Sequence, residues 1–171
     1  MKEGLRPTAA GEALYQELLW VHGLLRRDLA TVERLAVDVA DGLPAEEVRA
    51  EIRALETNGP LWQLKVHCLH YCRFVHGHHR LEDMALFPEL RRTNPALGPM
   101  IDRLQADHRI VSAQLDEVEA AAEALGADGT PAARARFVSV LEALAAHLLA
   151  HLELEEESVA ETVRAWGGPA A

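Results

Sequence analysis

A chain of 171 residues has the size of one domain and is long enough to bury a substantial core. Its formal net charge of −10 argues against nucleic acid and anionic membrane as partners, no apolar run of membrane-spanning length is read in it, and its first residues lack the apolar stretch of a secretory signal, so a cytoplasmic protein is expected. An apolar fraction of 49% with only 5% aromatic residues suits a soluble, Ala/Leu-rich helical protein, and two cysteines, Cys68 and Cys72, four apart in sequence, exclude a disulfide framework and read as small apolar core residues.

Breakers at Asp41-Gly42-Leu43-Pro44, Asn58-Gly59-Pro60, Thr93-Asn94-Pro95 and Gly126 to Pro131 divide the chain. Between them apolar residues recur every three or four positions, which predicts helices and no strands. The first helix is expected over roughly 9–41, where His22 stands among Tyr15, Leu18, Leu19, Leu25 and Leu29. A short helix, roughly 44–57, is expected in the first connection. The second long helix is expected over 60–91. At about 100° per residue, Leu64, Tyr71, Phe74, Val75, Glu82, Ala85 and Leu86 all fall near His78. His78 and Glu82 therefore occupy the middle of an apolar stripe. The neighbouring pair, His79 and Asp83, has the same spacing but is turned away, which predicts a place at the stripe's edge or in solvent.

The third helix, over 96–125, carries His108 among Ile101, Leu104, Val111 and Leu115. The fourth, over 131–166, places His151 and Glu155 on one face with Phe137, Val140, Leu144, Leu148 and Val159. Four long helices with mostly short connections predict an all-α fold, an antiparallel up-down four-helix bundle with the extra short helix, as a single domain with its core at about 9–166.

Six side chains then point at the bundle axis: His22, His78, Glu82, His108, His151 and Glu155. A lone histidine on an apolar face is usually satisfied by one hydrogen bond. A core glutamate is harder to accommodate, because an unpaired buried carboxylate costs several kcal/mol. No lysine lies on these faces, and Arg26, one turn from His22, cannot serve both acids. Protonated histidines would neutralise the pair, but two divalent ions do so better. Six nitrogen and oxygen ligands without thiolate exceed one tetrahedral zinc, four imidazoles do not suit magnesium or calcium, and the mixture suits iron, manganese or cobalt. Two ions bridged by both carboxylates, each with two imidazoles and sharing an oxo or hydroxo group, keep positions open for O2, peroxide or NO. The Glu-x-x-His pairs of ferritin-type di-iron bundles are absent from the sequence.

The stretches "VHGLLRRDL", "HHRLEDMALFPEL", "DHRIVSAQLDEVE" and "AHLLAHLELEEE" reproduce in order the pattern H…HxxxE…H…HxxxE, and the chain resembles the hemerythrin-like, HHE cation-binding family. The resemblance implies iron ligands at His22, His78, Glu82, His108, His151 and Glu155, with Glu82 and Glu155 bridging two irons. The oxygen-carrying hemerythrins add a second histidine on the third helix; here Leu104 and Ser112 stand four before and four after His108, which puts reversible oxygen carriage in doubt. His147, one turn before His151, reads as a hydrogen-bonding group outside the ligand set or a substitute ligand. Tyr71 and His67 read as packing groups, with a tyrosine ligand or electron donor as the alternative.

The function expected is handling of O2-derived or nitrogen-oxide small molecules at a di-iron centre, foremost detoxification of peroxide or NO. Non-catalytic binding or sensing of O2, NO or iron, oxidation of an organic substrate, and a metal-free bundle are the alternatives.

Overall fold

The computed structural model describes residues 5–42 and 60–167. Among them every regular element is helical: α1 (Ala9–Gly42), α2 (Pro60–Leu81), α3 (Phe87–Thr93), α4 (Gly98–Asp128) and α5 (Pro131–Arg164). α2 runs without a break through a π-helical turn, Glu82–Leu86, into α3, so the four expected rods are present. The expected short helix at 44–57 lies outside the described residues.

Local chemistry sets the boundaries. The Thr8 hydroxyl accepts from Gly11 N at 2.9 Å and caps α1. Gly129, at φ 52°, ends α4 in the left-handed conformation, its N–H donating to Leu125 O at 3.0 Å. Thr130 then caps α5 through Ala133 N, with Pro131 in the first turn. At the other end of α5, Thr8 N donates to Arg164 O at 2.8 Å. Gly11 lies against this junction so closely that a Cβ would stand 2.2 Å from Arg164 O, which only glycine permits.

α1 packs against α2 and α5, and α4 against α2 and α5, while α3 also meets α4 and α5. The interior is divided in two. One apolar cluster includes Leu25, Leu29, Val75, Val111, Leu115, Leu144 and Leu148. The other includes Tyr15, Phe87, Leu90, Ile101, Leu104, Val159 and Val163. On α1 the passage from one cluster to the other runs through His22, on α4 through His108, and on α5 past His151 and Glu155. The buried polar residues thus form a belt across the molecule with dry packing on both sides.

Two expectations need correction. α5 is long and apolar enough to cross a membrane by length and composition, with a mean hydropathy of 1.5 in its most apolar window. Between Phe137 and Leu152 its only acidic or basic residue besides histidine is Glu142. The same helix buries Phe137, Leu141, Leu144 and Leu148 in the core, and its low charge is explained by that packing. The second correction concerns helical phase. On an ideal wheel Phe87 stands about 180° from His78. Phe87 and Leu90 are nonetheless fully buried, while Ala85, expected on the stripe, is exposed. The π turn inserts one extra residue and rotates everything after it.

Candidate metal centre

The six residues expected at the axis come together. His22, Glu82, His108, His151 and Glu155 are buried, and the His78 side chain is 9% exposed. His22 Nε2 lies 3.0 Å from His78 Nε2, and His108 Nε2 lies 3.1 Å from His151 Nε2. Metal–nitrogen bonds of about 2.0–2.1 Å place neighbouring ligand nitrogens around one ion about 3 Å apart. Each imidazole pair has that spacing.

The carboxylates lie between the pairs. Glu82 Oε1 is 2.9 Å from His78 Nε2 and 3.7 Å from His22 Nε2, while its Oε2 is 3.4 Å from His108 Nε2. Glu155 Oε2 is 3.7 Å from His22 Nε2 and 3.6 Å from His151 Nε2. Each carboxylate therefore touches both halves of the nest. All four of their oxygens are buried without a hydrogen-bond partner. Orphaned acceptors of this kind are costly inside a protein and fit a cation that the side chains surround.

The outer nitrogens are held by acids absent from the sequence pattern. His22 Nδ1 is 2.8 Å from Glu156 Oε1, which also accepts from Arg26 Nη1 at 2.7 Å. His108 Nδ1 is 2.9 Å from Asp83 Oδ1. A neutral imidazole that donates from Nδ1 presents a lone pair at Nε2. Both Nε2 atoms point into the nest, so Glu156 and Asp83 fix the tautomer that can ligate. Each acid directly follows a core glutamate, Glu82-Asp83 and Glu155-Glu156, and grips an imidazole from another helix. Asp83 was expected at the edge of the stripe, and it stands there. Arg26 serves Glu156 rather than either core glutamate.

The electrostatics separate the two carboxyls. Burial opposes ionisation of Glu82, but the imidazoles of His108, His22 and His78 outweigh it and hold its pKa well below the ordinary value. Glu155 is driven well above it, by burial first and by repulsion from Glu82 second. Without a cation the interior supports one carboxylate of the pair and not both. Burial and then His108 push His151 down to about 4, so it stays neutral and able to ligate at pH 7.

His79 overturns its expected position. It is 5% exposed, its ring stacks on His108 at 4.0 Å between centroids, and it meets His151 edge-on at 5.2 Å. Sites for one ion can be drawn from three groups: His22, His78 and Glu82; His79, His108 and His151; and Glu82, His108 and Glu155. Burial first, and then neighbouring His108, push the His79 pKa far down, so its imidazole is neutral. His79 stands about 100° from His78 as the wheel has it, and it is buried because His108 and His151 arrive from α4 and α5 against that side of α2.

The remaining candidates fall away from these groups. His147 is half-buried, with Nε2 3.8 Å from Asp107, whose other oxygen lies 3.7 Å from His151 Nδ1. Tyr71 is buried in the larger apolar cluster with its hydroxyl unpartnered, and His67 is exposed. Cys68 and Cys72 are free buried thiols; the hydrogen bond to Cys68 and burial drive the Cys72 pKa far up, which leaves it inert.

Two clefts reach the centre. One, of about 240 Å³, is walled by Leu14, Leu18, Val21 and Leu86, with His78 and Glu82 among its lining. The other, of about 420 Å³, is lined by Arg80, Asp83, Arg109 and Ser112 and reaches His79 and His108.

By class this is a protein helical in every regular element of its described residues, whose interior holds a nest of imidazoles and carboxylates suited to metal ions. The chain matches the hemerythrin HHE cation binding domain over residues 60–163 and belongs to that family. The match spans α2 to the end of α5 and leaves out α1, so His22 joins the site through the geometry above. No curated protein and no solved structure matches the chain.

Proposed function

We propose that the chain is a di-iron protein that consumes a small oxidant, hydrogen peroxide or NO, within a single antiparallel up-down bundle. The observation that carries this reading is the pair of carboxylates, four oxygens without partners, laid between two imidazole pairs. The donor set is nitrogen and oxygen only, which suits iron. His22, His78, Glu82, His108, His151 and Glu155 would hold the ions, with Glu82 and Glu155 shared. Bound iron supplies reversible one-electron chemistry at a position open to a small molecule.

The chain's own residues shape what reaches that position. Leu14, Leu18, Val21 and Leu86 line a mainly apolar cleft to His78 and Glu82, with Glu17 also in its wall, which suits small uncharged molecules. Glu156 and Asp83 keep the ligating nitrogens in place. Disproportionation of hydrogen peroxide to O2 and water needs no outside reductant, which favours peroxide among the small molecules. The antiparallel arrangement is supported by the junction of Thr8 with Arg164 and by the short links at 94–97 and 129–130.

Peroxide and NO consumption by iron-loaded protein is the test, with His78→Ala beside it. Wild-type protein is expected to outpace free iron, and the variant to lose the activity. Equal rates for the two proteins contradict the proposal. A reversible oxygenated spectrum without turnover converts the reading to binding or sensing.

A further inference from the structure

We infer that His79 is a seventh metal-binding side chain, placing three imidazoles on one ion and two on the other. The inference rests on the di-iron reading and assigns a residue that the H…HxxxE…H…HxxxE pattern omits. Two observations carry it. The His79 ring is buried inside the nest, and its Nε2 has no hydrogen-bond partner. Its ligating atom lies within 4.8 Å of those of His108 and His151. It stacks on His108 with 9° between planes, while Phe87 covers His108 at 5.3 Å and 20°. Lone pairs of parallel rings do not converge, so the His79 ring must turn out of this stack to share an ion with His108.

The π turn shapes the surroundings of His79 rather than its place on α2. Phe87 is buried only because the turn rotates the chain after Leu81, and Phe87 is part of the stack that orients His108. On α4, the residue one turn beyond His108 is Ser112, which lines the same cleft as His79. A small side chain there leaves room for the imidazole arriving from α2.

The consequence is asymmetry. The ion held by His79, His108 and His151 would have fewer free positions than the ion held by His22 and His78. The second ion would lie at the end of the mainly apolar cleft, while the polar cleft of Arg80, Asp83 and Arg109 reaches His79 and His108. The two irons would therefore be unlike in ligand number and in the polarity of the cleft that reaches each.

The test counts imidazoles and compares the irons. X-ray absorption of iron-loaded wild-type protein is expected to fit five imidazoles shared over two irons, and iron-57 Mössbauer spectroscopy to give two unequal doublets of the same area. His79→Ala and the milder His79→Gln are expected to perturb one doublet and to weaken one of the two irons by about 10–100-fold. Added imidazole is expected to restore that doublet in His79→Ala. Four imidazoles in the wild type, or a folded His79→Gln with unchanged spectrum and iron affinity, overturns the assignment of His79 alone. Wild-type protein that takes up no iron overturns the di-iron reading together with it.

Discussion

At the residue scale, the site consists of inner groups that face the nest and acids that aim them. The inner groups are legible in sequence because a glutamate in the middle of an apolar stripe demands compensation. The aiming acids are not. Asp83 and Glu156 look like ordinary solvated residues, and their role exists only because His108 and His22 arrive from other helices. Asp83→Ala and Glu156→Ala are each expected to weaken iron binding by about 10–100-fold with little change in helicity. Competition against a chelator of known affinity, with circular dichroism alongside, measures both. Unchanged iron affinity in both variants would show that the outer hydrogen bonds do not orient the ligands.

At the element scale, periodicity predicted four long helices whose described bounds differ from it by only a few residues. Breakers such as Gly129 with Pro131 act locally and therefore show in the sequence. The π turn at Glu82–Leu86 is different. Nothing in Glu82-Asp83-Met84-Ala85-Leu86 forbids regular helix, so the extra residue is set by tertiary packing: His78, His79 and Glu82 face the nest while Phe87 and Leu90 face the core. That single insertion explains the misplacement of Ala85; His79, upstream of it, is buried because His108 and His151 pack against its side of α2. Met84 is 69% exposed and makes the natural probe. Met84→Ala is expected to change stability by less than about 0.5 kcal/mol. Deleting Met84 removes the insertion and forces either the nest or Phe87 and Leu90 out of register. A loss of several kcal/mol in urea unfolding is expected, since Phe87 alone is worth about 3–5 kcal/mol. A deletion variant as stable as Met84→Ala would mean that the π turn positions nothing.

At the scale of the whole molecule, a belt of imidazoles and carboxyls separates two apolar clusters. Metal-free protein carries that belt at a cost that bound cations remove. Glu155 makes the cost measurable. Its pKa is raised in the folded chain by burial, by Glu82 and by Glu156 and Asp83 beyond it. Below pH 4.5 Glu155 is protonated in both folded and unfolded chains and has no effect on stability. As pH rises, the unfolded chain releases the proton and the folded chain keeps it, so the metal-free fold loses stability. Metal-free Glu155→Gln is therefore expected to melt above metal-free wild type at pH 7, by a margin that shrinks toward pH 4.5. With iron present the order reverses, because the variant lacks a shared carboxylate. Thermal melts of both proteins at two pH values, with and without iron, decide the matter; a margin that grows toward acid would contradict the burial of an uncompensated acid.

The most direct test of the metal centre is iron analysis of wild-type protein loaded aerobically, read together with its near-ultraviolet spectrum. Two irons per chain with oxo-bridge absorption are expected. Protein that retains no transition metal, or only one ion with no such absorption, contradicts the assignment of Glu82 and Glu155 as carboxylates shared between two cations.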